Sequence, residues 1–399
     1  MASQWNYVEI PLRQHVGKPS LPIVTVGDVV LRGQHIASRD GLGANIHASV
    51  SGVVSRISPE SIRITLSAEQ PEGFVPIPET SSYLEAIEKA GVVGAGGAGF
   101  PAHVKFGVNL SGGSFIVNAA ECEPSLKHNM QLLKEAPGLI VRALKYAMEI
   151  TNASRGYIAI KPKNKAALLS IAKACRDEAS IEIKYLPDAY PSGDERFILR
   201  EILGHELGPG ELPSAVEAVI SNVETMKRVA EAIELRKPVI SKDFTLNGRV
   251  VDIAKNGPKV FMEQPIGLPI MKYIEECGGY LAPYGELVLG GAFTGKRGDE
   301  EAVLTKTLGG VFVAMPFPND SRSFGILACE CGAQEARLAE IVEGMGGKVV
   351  AASYCKRMEP DSSGRLRCTK PGICPGQAEK IMEFVKKGAE AVIVGSCED

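Results

Sequence analysis

The chain of 399 residues has no surplus of charge: 44 Lys and Arg stand against 47 Asp and Glu, a formal net charge of −3. Nucleic-acid binding draws on a basic excess that meets phosphates, so that function class is excluded. No run of about 18 apolar residues occurs, so no segment reads as crossing a bilayer. The opening "MASQWNYVEI" lacks the basic stretch followed by an apolar one that marks an export signal. A cytoplasmic protein is expected, with peripheral docking on a membrane complex left open. Cysteine is sparse for most of the chain, with Cys122, Cys175 and Cys277 scattered through the first 328 residues. The other six, Cys329, Cys331, Cys355, Cys368, Cys374 and Cys397, crowd the last 71. In a reducing compartment such crowding favours metal, cluster or thiol redox chemistry over structural disulfides.

The composition, 45% apolar and 23% charged, is that of a soluble globular chain, and the length predicts two to four domains. Hydrophobic periodicity divides it into four, giving a multidomain α/β protein. Residues 1–78 read as short strands with alternating β-branched residues and Gly, Asp and Pro punctuation. Their two halves, "VGDVVLRGQHIA" and "IHASVSGVVSRI", resemble a barrel-sandwich hybrid of the biotinyl and lipoyl carrier type. A carrier presents a lysine at the hairpin between the halves. Here "RDGLGAN", Arg39 to Asn45, has none, so a structural or docking role is expected. Residues 79–236 alternate strand and helix, which predicts a Rossmann-like α/β domain with a largely parallel sheet. One helix is expected through "MQLLKEAPGLIVRALKYAMEI" in spite of Pro137. Residues 237–318 predict a small β-grasp domain. Residues 319–399 predict a Cys-rich α/β domain whose strands deliver cysteines at their C-terminal ends, where open α/β sheets place ligands.

The stretch "GVVGAGGAGFP", Gly91 to Pro101, carries four glycines within six residues. Gly94, Gly96 and Gly99 fit G-x-G-x-x-G, but a dinucleotide fingerprint also needs a preceding strand and a following helix. "YLEAIEKAGVV" has helical spacing instead, and little room for a crossover helix follows. A second reading is a loop whose bare backbone admits a phosphate or a flat ring, with a short helix beginning near Pro101 and Lys105 one turn further on. A ligand-free glycine turn is the third.

Three further stretches bear on the choice: "VNAAECEP" (Val117 to Pro124), "AYPSGDERFI" (Ala189 to Ile198) and "ISNVETM" (Ile220 to Met226). With the glycine loop, in this order, they resemble the flavin-binding 51-kilodalton-type subunit of respiratory complex I and, more closely, the RnfC family of the Rnf complex. The N-terminal region and the β-grasp region, SLBB-like in that comparison, extend the resemblance over about residues 7–315. It implies FMN as cofactor and NADH as donor. It implies that Gly94, Gly96, Gly97 and Gly99 line the flavin, that Lys105 meets its phosphate, and that Asn118, Asn222 and Thr225 complete the contacts. It also implies that Glu121, Glu123 and Glu195 line the nicotinamide site. Complex I carries an aspartate where this chain has Ala120, whereas the RnfC family shares the alanine.

RnfC proteins carry two C-x2-C-x2-C-x3-C-P runs for iron–sulfur clusters, and this sequence has neither. The tail is instead similar to a small iron–sulfur subunit linking hydrogenase to heterodisulfide reductase. An RnfC-like front with such a tail resembles the electron-transfer family of D-proline reductase, whose members can carry selenocysteine there. An ending at "GSCED" is what an opal codon read as a stop would leave. Three readings of the six tail cysteines stay open: an iron–sulfur cluster, a thiol relay with a partner reductase, or packing. The expectation is therefore an NADH-dependent electron-transfer oxidoreductase. Electrons from NADH, or another reduced donor, would pass through FMN to the tail cysteines and on to a partner, namely proline reductase. An Rnf-type or NADH–quinone oxidoreductase subunit, or a docking subunit without flavin, are the alternatives.

Overall fold

In a computed structural model of the chain, residues 5–395 are described. The N-terminal region pairs Tyr7–Pro11 with Ser61–Leu66, then Gly52–Ile57, then Val29–Val30, all antiparallel. A second small sheet joins Leu21–Pro22, His35–Ser38 and Ile46–His47. Strand alternation sends Val8, Ile10, Ile62 and Ile64 inward. These side chains share one continuous core with Phe244, Leu246 and Tyr273 of the third region. The two regions read as separate domains in the sequence are thus packed as one body.

The central sheet is wholly parallel, in the order Ile181–Tyr185, Arg155–Ile160, Ser114–Ala119, Ala218–Asn222. The chain builds it outward in one direction and then returns to the other side of Ser114–Ala119. The switch in strand order therefore lies between Asn118 and Asn222, which stand in register. Open α/β sheets hold ligands in the crevice outside the strand C-termini at such a switch. One face is covered by Pro137–Thr151, Lys165–Ala174 and Val223–Glu234, the other by Glu195–Leu203. The single helix expected across Pro137 is two, His128–Glu135 and Pro137–Thr151. Proline lacks the N–H to continue the first but suits the opening turn of the second.

In the third region Ser241–Gly248 runs antiparallel to Lys259–Pro265 and parallel to Gly310–Val313, with Ile270–Glu276 as a helix beside them. In the tail, Ser323–Ala328 lies between Lys348–Tyr354 and Ala391–Val394, parallel to both. A small hairpin, Met358–Pro360 with Leu366–Cys368, folds back toward the central domain.

Candidate functional site

The glycine loop closes on itself through an isolated bridge from Val93 to Pro101, and the Gly94 amide donates to the Phe100 carbonyl at 2.9 Å. It is pinned from below at Ala95. The Ala95 amide donates to Thr225 Oγ1 at 2.9 Å, and Lys242 Nζ donates to the Ala95 carbonyl at 3.3 Å. Lys242 is itself buried and paired with Glu224. Each glycine can be asked why it carries no side chain. Gly99 has φ +71°, and a β-carbon would stand 3.0 Å from the Gln14 carbonyl. A β-carbon on Gly96 would stand 2.9 Å from Asn222 Nδ2. Gly94 and Gly97 have neither a positive φ nor a neighbour that close: the nearest atom lies 3.7 Å away at Gly94 and beyond 4 Å at Gly97. Neither folding nor packing demands glycine at these two positions. Their bare faces open at the sheet switch point, a cradle that a β-carbon would fill, and that fits a flat cofactor.

The remaining expected contacts serve partly to build this crevice. Asn222 accepts from the Glu224 amide at 2.8 Å and caps the helix Val223–Glu234. Asn118 Nδ2 donates to the Gly193 carbonyl at 2.9 Å, and its Oδ1 accepts from the Ala120 amide. Asn118 thereby holds the loop from Ala189 to Asp194 over the strand ends. Lys161 Nζ fastens the same loop at the Ala189 carbonyl, 3.0 Å away. Lys105 and Glu195, assigned in the sequence to opposite ends of the cofactor, form an ion pair at 2.5 Å. The short helix Ala102–Phe106 and the start of Glu195–Leu203 face each other across the crevice, which the linear sequence does not reveal.

The three acids do not stand together. Glu121 (φ 42°) turns over a groove of about 1060 Å³ and leaves one buried oxygen without a partner. Glu123 accepts from the Phe293 amide at 2.9 Å and the Thr294 amide at 3.1 Å, so it ties the strand end to the third region. Cys122, half-buried, packs against Gly193, and burial pushes its thiol up to about 11.

The tail cysteines converge. Cys329, Cys331, Cys355, Cys368 and Cys374 line one cavity of about 30 Å³, with Tyr190 and Pro191 as its far wall. That is room for a water or two. Among the described residues no group of three or more His, Cys, Asp or Glu stands where it could hold a metal ion. Cys397 lies outside the described residues.

Sequence reasoning missed the residues that join this cavity to the central domain. Tyr190 donates its hydroxyl to the Cys331 carbonyl, and its ring meets Phe293 edge-on at 4.6 Å. It lines both the groove and the cysteine cavity. Arg196, next to Glu195, reaches the Cys368 carbonyl and pairs with Glu330 at 2.8 Å. Glu330, between Cys329 and Cys331, also takes the Cys368 amide and pairs with Arg367 at 2.9 Å. The contacts of Tyr190 and Arg196 with the tail span well over a hundred positions, so their only local signal was an acid between two cysteines.

Comparison with known proteins agrees with this construction. Residues 87–231 match the profile of the Nuo51 FMN-binding domain, and residues 2–70 match the RnfC barrel-sandwich hybrid domain. The class is therefore an electron-transfer protein with an FMN-binding domain. The chain is 32% identical over 307 residues to the RnfC-type component of the Na(+)-translocating ferredoxin:NAD(+) oxidoreductase complex of Acetobacterium woodii, covering 72% of this chain and 68% of that one. It belongs to the RnfC family. Cobalamin reductase PduS of Salmonella typhimurium is 37% identical over 230 residues, covering 57% of this chain and 49% of that one. The chain thus spans about two thirds of one relative's length and half of the other's. An NAD+-reducing [NiFe]-hydrogenase chain overlaps 58% of this one, and 46% of it is covered, at 23% identity and a TM-score of 0.47, too partial a likeness to add to the assignment.

Proposed function

We propose that this chain is an electron-transfer flavoprotein subunit that takes electrons from NADH, or another reduced donor, at the glycine-loop crevice and delivers them to the tail cysteines and a partner reductase. The observation that carries the reading is continuity. One loop, Ala189 to Asp194, is held by Asn118 at the crevice and presents Tyr190 to the cysteine cavity. Gly94, Gly96, Gly97 and Gly99 would receive the flavin ring and ribityl chain, with Lys105, Asn118, Asn222 and Thr225 around its phosphate. Bound there, FMN would supply hydride acceptance and the conversion between two-electron and one-electron transfer. The protein's part is to stack, orient and set local charge. Lys105 and Glu195 would exchange partners, the ammonium turning to phosphate and the carboxylate to the nicotinamide side. Glu121, whose buried oxygen lacks a partner, is the acid best placed to meet an incoming donor group.

The finer assignment is the electron-transfer protein of D-proline reductase, in the cytoplasm. It is supported by an RnfC-type front that lacks both ferredoxin-type cysteine runs and carries the five-cysteine cavity instead. A place in an Rnf complex at a membrane is the second reading, favoured by the family itself. No helix among the described residues is long and apolar enough to cross a membrane. The test is the visible spectrum of the purified chain. Flavin absorbance bleached by NADH is expected, with flavin content lost in the Lys105→Ala, Asn118→Ala double variant. A folded, colourless protein, or a double variant with full flavin, overturns the site. Reduction of purified proline reductase, against reduction of ferredoxin, separates the two partners.

A further inference from the structure

The cysteine cavity leaves open which sulfurs exchange electrons. The strand Ser323–Ala328 ends at Cys329 and enters a tight turn, in which the Gly332 amide donates to the Cys329 carbonyl at 3.4 Å. Cys329 and Cys331 are the first and third residues of that turn. A turn of this kind folds such positions toward one another, into the range of α-carbon separations that a disulfide spans. Their thiols already share a hydrogen bond. That bond and burial hold the Cys331 thiol well above its ordinary range.

The surroundings fix this turn rather than leave it loose. Glu330, at its second position, is held by Arg196, Arg367 and the Cys368 amide. Tyr190 holds the Cys331 carbonyl, and Gln334 Nε2 holds the Cys329 carbonyl at 2.9 Å. Both cysteines are half-buried on a cavity wall shared with Tyr190. The other cavity cysteines differ. Cys355 accepts from Gln377 Nε2 at 3.0 Å, and Cys368 is buried in the hairpin.

Resting on the reading of the chain as a flavin-to-cysteine conduit, we propose that Cys329 and Cys331 form a two-electron dithiol–disulfide couple, the acceptor for electrons leaving the crevice. Oxidation forms one S–S bond, breaks two S–H bonds and releases two electrons and two protons. A partner protein's disulfide takes these by exchange and ends as its dithiol. Reduction returns two electrons and two protons to the sulfurs, supplied from the reduced flavin pool. Arg196 and Glu330 are positioning residues: they set the turn against the central domain and touch no reacting atom.

The experiment titrates the full chain in dithiothreitol redox buffers, followed by alkylation and peptide mass spectrometry. Flavin content is read separately, by absorbance after extraction. The expected result is a single tryptic peptide containing both Cys329 and Cys331, two mass units lighter in the oxidised state and doubly alkylated in the reduced one. Cys331→Ser should abolish that transition, while Cys355→Ser, Cys374→Ser and Cys397→Ser leave it in place. Arg196→Lys should shift its midpoint without removing it. The proposal is overturned if both cysteines stay separately alkylated under oxidising conditions. It is equally overturned if either pairs with another cysteine, or if anaerobic protein carries iron and sulfide that Cys329→Ser removes. Each result is independent of whether flavin is bound, so failure here and failure of the flavin site are distinguishable.

Discussion

At the scale of residues, Gly97 separates two explanations that the sequence merges. Four glycines in six positions look alike on paper. In three dimensions Gly96 and Gly99 are required by Asn222 and by a left-handed φ, whereas Gly94 and Gly97 are not. Gly97→Ala should therefore leave the melting temperature unchanged, since no atom lies within 4 Å of the new methyl. Overfilling a tight binding surface typically costs about 1–3 kcal/mol, so flavin affinity should fall about tenfold or more. Thermal scanning and a flavin titration check both halves. Equal flavin affinity would remove the cofactor from this face of the loop. The sequence revealed that the loop was bare, because composition is local. It did not reveal which glycines are structural, because that depends on Gln14, Asn222 and Thr307, each brought in from a distant segment. The same limit explains Lys105 and Glu195, two residues 90 positions apart that meet in one ion pair.

At the scale of elements, the helix Glu195–Leu203 works on both its flanks. Its first residue faces Lys105, and its second reaches into the tail. Arg196 and Glu330 have side chains only 8% and 13% exposed. Removing one member of such a pair strands the other charge and costs about 3–5 kcal/mol. Arg196→Ala should therefore loosen the tail, seen as faster proteolytic release of residues beyond 318, while flavin content stays constant. Release at the wild-type rate would show that Phe197 against Gly372, and Arg200 on the Pro371 carbonyl at 3.0 Å, suffice to dock it. Periodicity made the helix legible, but not its second partner. The break at Ala136 was hidden for the opposite reason: apolar spacing continues smoothly across Pro137, and only the ring's missing donor divides it.

At the scale of the whole molecule, Lys306 joins three regions. Its ammonium is fully buried and donates to the Asn45 and Gly91 carbonyls, each at 2.7 Å. Burial holds its pKa down to about 7, against about 10.4 in an unfolded chain. Between those values the unfolded state binds more protons, so stability rises with pH across that window. The slope is up to about 1.4 kcal/mol per pH unit. Below pH 7 both states are protonated and this contribution flattens. His15, His35 and His47 surround it and are held below their ordinary value, so they titrate beneath the window. Lys306→Met should flatten the denaturation profile between pH 7 and 10. An unchanged slope would place its origin elsewhere.

Lys306 also decides what the carrier-like region is able to do. The hairpin from Arg39 to Asn45 is where a swinging arm would start. Here Arg39 is fastened to Glu88 at 2.6 Å, and Asn45 is sealed against the base of the glycine loop. Nothing in this arrangement ferries a group from one station to another. Traffic has to run along fixed wiring, and its rate should be indifferent to solvent viscosity.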